Sequence, residues 1–300
     1  MSKLSMDLEE YSPFQRNYIE RNGHQYHYVN EGQGSPVVMV HGNPSWSFYY
    51  RNLVKALSKD HQCIVPDHIG CGLSDKPSDE GYDYTLTQRI NDLEALLDHL
   101  AVSEDITLVV HDWGGMIGLG YAARYPERIK RLVILNTGAF HLPKDKSFPF
   151  ALWLGRNTAL GTILVRGFNA FSAIASYIGV KRQPMSHAIR QAYVAPFNSW
   201  QNRISTLRFI QDIPLKPHHR NYALVSDIAD SLAHYDKLPV LICWGLKDFV
   251  FDKHFLAEWQ QRFPLAQVHT FIDCGHYILE DASDEIIPLI SDFLLKTELS

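Results

Sequence analysis

The chain has 300 residues, of which 46% are apolar and 20% charged, and its formal net charge at pH 7 is −5. That balance belongs to a folded protein with a packed core and excludes a largely disordered chain. The negative charge, with no basic stripe to offset it, argues against nucleic acid as a partner.

In chain order, residues 17–21 and 24–29 alternate around Asn22-Gly23, a dipeptide that favours a two-residue hairpin turn with positive φ. Apolar runs then alternate with helical patterns. Strands are expected at 36–40, 63–65, 106–110 and 131–135, and helices at 46–59, 86–100 and 115–125. Thr85 and Gln88 form a capping-box signal at the start of the second helix. From about 138 to 234 the pattern turns helical, aromatic-rich and proline-punctuated, with no strong strand. A strand at 240–244, a helix at 253–262, a strand at 267–272 and a closing helix from about 283 restore the alternation. Repeated βα units predict a mostly parallel, doubly wound α/β sheet. The helical block divides that sheet in the sequence. The expected organisation is therefore a first core part at 1–137, an inserted helical cap at 138–234 and a second core part at 235–300.

The run Leu108-Val109-Val110-His111-Asp112-Trp113-Gly114-Gly115 puts a polar residue where a buried strand meets a helix. Glycines follow two and three positions later, as close strand–helix packing requires. The pattern resembles a nucleophile elbow with aspartate in place of serine and Val110 in place of the first glycine. A carboxylate is nucleophilic at neutral pH without a base and can form an ester with a saturated carbon. Backbone N–H groups and the positive helix end should keep it ionised. An ordinary helix-capping aspartate would look the same in isolation, so the partners matter. His41-Gly42-Asn43-Pro44 follows the 36–40 strand, where this elbow finds its second oxyanion donor. The Asn43 amide and the Trp113 indole supply further N–H donors for a departing anion. Asp248 and His276 both fall just beyond strand ends. The order Asp112, Asp248, His276 is that of nucleophile, acid and base in such sheets. The remaining histidines lack metal spacing and read as structural or solvated, so neither a metal nor another cofactor is expected.

The His41-Gly42-Asn43-Pro44 and His111-Asp112-Trp113-Gly114-Gly115 motifs, with the run from Pro66 to Pro77, resemble the haloalkane dehalogenase family of the α/β-hydrolase fold. The resemblance covers nearly the whole chain from about residue 15. It implies an eight-stranded, mostly parallel sheet flanked by helices. It also implies Asp112 as nucleophile, His276 as base, Asp248 as acid, and Asn43 with Trp113 as the anion-binding pair. Some branches place the acid after the preceding strand, where this chain has Asn136. Tyr193-Val194-Ala195-Pro196-Phe197, Gln211-Asp212-Ile213-Pro214-Leu215 and Phe251-Asp252-Lys253-His254 are similar to a narrower branch, the olefin-forming β-lactone decarboxylases of the OleB type. That branch implies conversion of cis-dialkyl-β-lactones to cis-olefins and CO2. The alternative on the same triad is haloalkane hydrolysis to alcohol and halide. An epoxide hydrolase, using cap tyrosines such as Tyr177, Tyr193 or Tyr222, and a catalytically silent binding module complete the field.

Aromatic and aliphatic residues of the cap, among them Phe140, Phe150, Trp153, Phe168 and Phe171, are expected to line a slot for alkyl chains. Residues 167–180 are apolar enough for peripheral contact with a membrane, but too short to span one. Residues 1–14 show no apolar signal-peptide core. Cys63, Cys71, Cys243 and Cys274 read as reduced thiols, which fits a cytoplasmic protein. The resemblance further implies a homo-oligomer or an assembly with other enzymes of olefin formation.

Overall fold

The computed structural model describes residues 10–298. The expectations for the first dozen residues therefore lie largely outside the described part. Eight strands form one sheet: β1 (Asn17–Arg21), β2 (His24–Glu31), β3 (Pro36–Val40), β4 (Gln62–Pro66), β5 (Ile106–Asp112), β6 (Ile129–Thr137), β7 (Val240–Gly245) and β8 (Gln267–Phe271). Their spatial order is β1-β2-β4-β3-β5-β6-β7-β8. Strand β2 runs antiparallel to both β1 and β4, and every other pairing is parallel.

The alternation of side chains along each strand builds two core layers. In β3, Val38 and Val40 face one layer while Val37 and Met39 face the other. Strands β5 and β6 repeat this with Leu108 and Val110 against Val109, and Leu132 and Ile134 against Val133 and Leu135. All of these side chains are buried, as expected for a parallel sheet covered on both faces. Each contributes roughly 1.5–3 kcal/mol of burial.

Helices α1 (Arg51–Leu57), α2 (Leu86–His99) and α3 (Gly114–Arg124) cover the first half of the sheet. The Thr85 hydroxyl caps α2 by accepting the Gln88 N–H. The single helix expected at 46–59 is instead a tight 3-10 turn, Ser47–Tyr50, leading into α1. That turn drives Phe48, Tyr49 and Tyr50 into the core together. Between β6 and β7 lie α4 (Phe150–Asn157), α5 (Ala159–Gly167), α6 (Ala170–Ile178), α7 (His187–Val194), α8 (Ile204–Gln211) and α9 (Tyr222–Ser231). The last of these packs against α3, with Val225 and Ile228 in the main core. Helices α10 (Lys253–Arg262), α11 (Ile278–Asp281) and α12 (Ser283–Glu298) complete the chain.

Candidate active site

Asp112 ends β5 with φ +52°, a left-handed conformation that costs a non-glycine residue about 1 kcal/mol. The sharp turn lifts its side chain out of the sheet and starts α3 two residues later. A Cβ on Gly114 would collide with the Val40 carbonyl oxygen, and one on Gly115 with the Thr137 hydroxyl. The two glycines thus let the helix lie directly on β3 and β6 while the turn holds Asp112 up.

One carboxylate oxygen of Asp112, Oδ1, accepts the Asn43 backbone N–H at 2.5 Å. The other, Oδ2, lies 3.7 Å from Nε2 of His276. Burial raises the Asp112 pKa above the ordinary carboxylate range, and the opposing pull of His276 and of the Asn43 and Trp113 backbone N–H groups does not cancel it. The turn and helix end therefore do less than expected to favour the charge, because the site is so thoroughly desolvated.

His276 turns its other ring nitrogen, Nδ1, to Oδ2 of Asp248 at 2.8 Å. Burial opposes a charged imidazole here, but the carboxylates of Asp248 and Asp112 outweigh it and hold the pKa above the ordinary value. Asp248 is itself fixed by three donors. Its Oδ1 accepts the backbone N–H groups of Val250 and Phe251 at 2.8 and 3.1 Å, and its Oδ2 accepts the Asn136 amide at 3.1 Å.

Asn43 and Trp113 both reach the cavity above Asp112. The Asn43 amide gives one N–H to the Thr206 carbonyl at 3.1 Å, which ties the loop to α8. The cavity, about 270 Å³, is lined on the far side by the helices between β6 and β7. Apart from Asp112, His276, Asn43 and His141, its walls are apolar, with Phe148, Leu152, Val165 and Phe255 among them.

Phe140 and Phe171 line this cavity, whereas Phe150, Trp153 and Phe168 do not. Phe150 and Phe168 are each 74% exposed, and Trp153 stacks on Phe150 at the surface. Composition could not separate the two faces of helices that are apolar on both. The tyrosines considered for ring opening also lie elsewhere. Tyr193 donates to Glu280, Tyr222 stacks on His141, and Tyr177 is exposed. No tyrosine is among the residues lining the cavity, which removes the specific support for an epoxide hydrolase.

Two neighbours were not singled out as functional from sequence. Asn136, at the end of β6 with φ +27°, uses its amide to join Asp248 to the Gly245 backbone. An asparagine at a strand end carried only one hint, its place where related enzymes hold the acid. His111 sits directly behind the site, its Nε2–H donating to the His276 carbonyl at 2.8 Å and its ring stacked on Tyr49. Burial holds the His111 pKa well below the ordinary value, so it is a neutral donor. Replacing Asn136 with alanine is expected to cost about 2 kcal/mol of stability, because it strands buried polar groups on Asp248 and Gly245. Urea denaturation of the variant measures this.

Among the described residues there is no cluster of three His, Cys, Asp or Glu side chains that could hold a metal. All four cysteines are buried and unpaired.

Known proteins share this architecture. The chain is 75% identical to a cis-3-alkyl-4-alkyloxetan-2-one decarboxylase of Shewanella oneidensis, over 97% of this chain and 92% of that protein. It is 50% identical to the enzyme of the same name from Xanthomonas campestris pv. campestris, over 93% and 95% of the two chains. A solved haloalkane dehalogenase from Bradyrhizobium elkani superposes with a TM-score of 0.85 at 24% identity, covering 95% of this chain and 99% of that one. Residues 35–283 match the family described as alpha/beta hydrolase fold, and with the elbow, the sheet order and these relatives the chain belongs to that family as one of its enzymes.

Proposed function

We propose that the chain converts cis-3-alkyl-4-alkyloxetan-2-ones, four-membered lactones carrying two alkyl chains, to cis-alkenes and CO2 through an ester on Asp112. The observation that carries the chemistry is the Asp112 carboxylate, raised on its elbow at the polar end of an otherwise apolar cavity. The 75% identity to a named decarboxylase supports the substrate class.

In this reading Oδ1 stays on the Asn43 N–H and Oδ2, facing His276, attacks the ring carbon that bears the ring oxygen. The carbon–oxygen bond breaks and its electrons leave on a carboxylate that remains tethered through the neighbouring carbon. Asn43 and Trp113 stand beside Asp112 to receive that charge. The bond to the carboxylate carbon then breaks, its electrons form the alkene, and the Asp112 carboxylate departs. Inversion followed by anti elimination carries cis geometry from lactone to alkene. No water and no cofactor enter the balance. Asp248 and Asn136 hold His276 in place throughout.

The helical segment 138–234 acts as the cap over the core parts 1–137 and 235–300, and the apolar cavity beneath it takes the alkyl chains. The buried, unpaired thiols support a cytoplasmic location. Haloalkane hydrolysis remains the second reading, favoured by the 3.7 Å separation between His276 Nε2 and Asp112 Oδ2, which suits a base that acts on water beside an ester.

Supplying a cis-β-lactone and a haloalkane in separate reactions tests the ranking. The expected result is alkene and CO2 in equal amounts from the lactone, at a rate well above halide release. Rapid halide release with no alkene from the lactone would reverse it.

A further inference from the structure

The outer face of the cap differs from the rest of the surface in two independent ways. The first is apolar exposure. Nine of the fourteen large exposed apolar side chains lie between residues 150 and 200. Leu160 and Ile163 stand out from α5, Phe168 from the corner, and Ile174 and Tyr177 from α6. The two helices meet at 72°, and together they have the length and composition of a bent apolar span, although no single described helix is long and apolar enough to cross a membrane. Packing does not explain this face, because the helices already bury their other side: Gly161, Val165 and Phe171 line the cavity.

The second difference is charge. Residues 147–211 hold seven Lys and Arg and no Asp or Glu, although the whole chain has 33 acidic residues. Of the seven, only Arg182 and Arg208 form salt bridges among the described residues. Two of the others are set against exposed rings, Arg166 over Trp200 at 4.6 Å and Arg190 over Tyr177 at 4.7 Å. A protein with net charge −5 thus has, around this apolar exposure, a segment with basic residues and no acidic ones of its own, a local bias that corrects the absence of a basic stripe expected from the overall charge.

We propose that this face seats the enzyme on an anionic phospholipid bilayer, with the apolar residues of α5 and α6 in the acyl boundary and the Arg and Lys side chains at the headgroups. Apolar and aromatic groups flanked by cations are what an interfacial helix pair presents to such a surface. The mouth of the cavity lies on the same face. Ile174, Ile178 and Phe249 line the cavity and are also exposed, so they form a continuous apolar rim from the surface inward. A substrate with two alkyl chains would then pass from lipid to Asp112 without crossing water. That route rests on the lactone reading, whereas the docking does not.

Flotation of the full chain with vesicles tests the docking. Vesicles of phosphatidylcholine with phosphatidylglycerol are expected to carry the protein, and those of phosphatidylcholine alone to carry at least tenfold less. Raising NaCl to about 0.5 M should release most of it, since screening then acts within a few ångströms. Ile163→Ser with Phe168→Ser should weaken binding at least tenfold. It should leave the circular dichroism spectrum and the turnover of a short, water-soluble lactone unchanged, because both side chains are exposed. Lys181→Gln with Arg190→Gln should weaken binding to the anionic vesicles selectively. Equal flotation of wild type and the serine variant, or none with anionic vesicles, overturns the proposal. So does a wild-type dimer in vesicle-free buffer that the serine variant abolishes, with no flotation, because the face would then cover a second copy. If flotation holds while no lactone is turned over, the docking stands and the reaction assignment falls.

Discussion

Replacing Asp112 with alanine is expected to lower turnover at least about 10⁴-fold, about 5 kcal/mol in barrier height, because no other group in the cavity can form the ester. The stability of the same variant should change little. The folded pKa of Asp112 is raised, so its ionised form is less favourable in the fold than in the unfolded chain. That penalty grows as pH rises through the unfolded and then the folded pKa, and is fully present at neutral pH if both are passed. Two losses offset that relief: the Asn43 N–H is left without its acceptor and His276 loses one of its two anionic neighbours, although Asp248 still holds Nδ1. The expected result is a melting temperature at pH 7 close to that of wild type, together with lost activity. A variant that is inactive and also markedly less stable would point to a structural aspartate capping α3, the ordinary role that an isolated Asp at this turn suggests.

The sheet was legible because parallel strands are buried on both faces and so appear as short apolar runs between amphipathic helices. Strands expected at 36–40, 106–110 and 131–135 correspond to Pro36–Val40, Ile106–Asp112 and Ile129–Thr137. Asn22-Gly23 marks the hairpin because only positive φ closes so short a turn, and the two residues have φ +51° and +82°. Local sequence also marks the elbow: Gly114 and Gly115 announce a helix pressed onto strands. What it could not mark is contact between distant segments. Asn136 acts through Asp248, 112 positions away, and His111 through the carbonyl of His276, 165 positions away. Between β6 and β7, Phe168 and Phe171 are three residues apart and both aromatic, yet one faces solvent and the other the cavity. Hydrophobicity cannot choose between faces when both are apolar, and here that ambiguity is a property of the surface rather than a gap in the pattern.

Turnover of a cis-β-lactone in water enriched in heavy oxygen is expected to leave Asp112 unlabelled, whereas hydrolysis of a haloalkane by the same site would place heavy oxygen on its carboxylate. The reason lies in the charge around His276. In the resting site, Asp112 and Asp248 together hold the His276 pKa up against burial. Forming an ester removes the Asp112 charge. After halide departs, His276 has lost one of its two anionic neighbours, its pKa falls, and its free base is available to take a proton from water. After a lactone opens, the carboxylate it releases is tethered a few ångströms away and replaces the lost charge. The protonated form of His276 then stays favoured, so the ring is a weaker base than after halide departure, and the ester survives long enough to lose CO2 and return Asp112 with both original oxygens. Mass analysis of the peptide containing Asp112 after many turnovers reads the difference directly. Label on Asp112 during lactone turnover would mean that water resolves the ester and that the alkene, if formed at all, arises by another path. Absence of label together with an acyl linkage from Asp112 to the lactone carbonyl carbon would instead place the attack on that carbon, and the tethered carboxylate on which this argument depends would not exist.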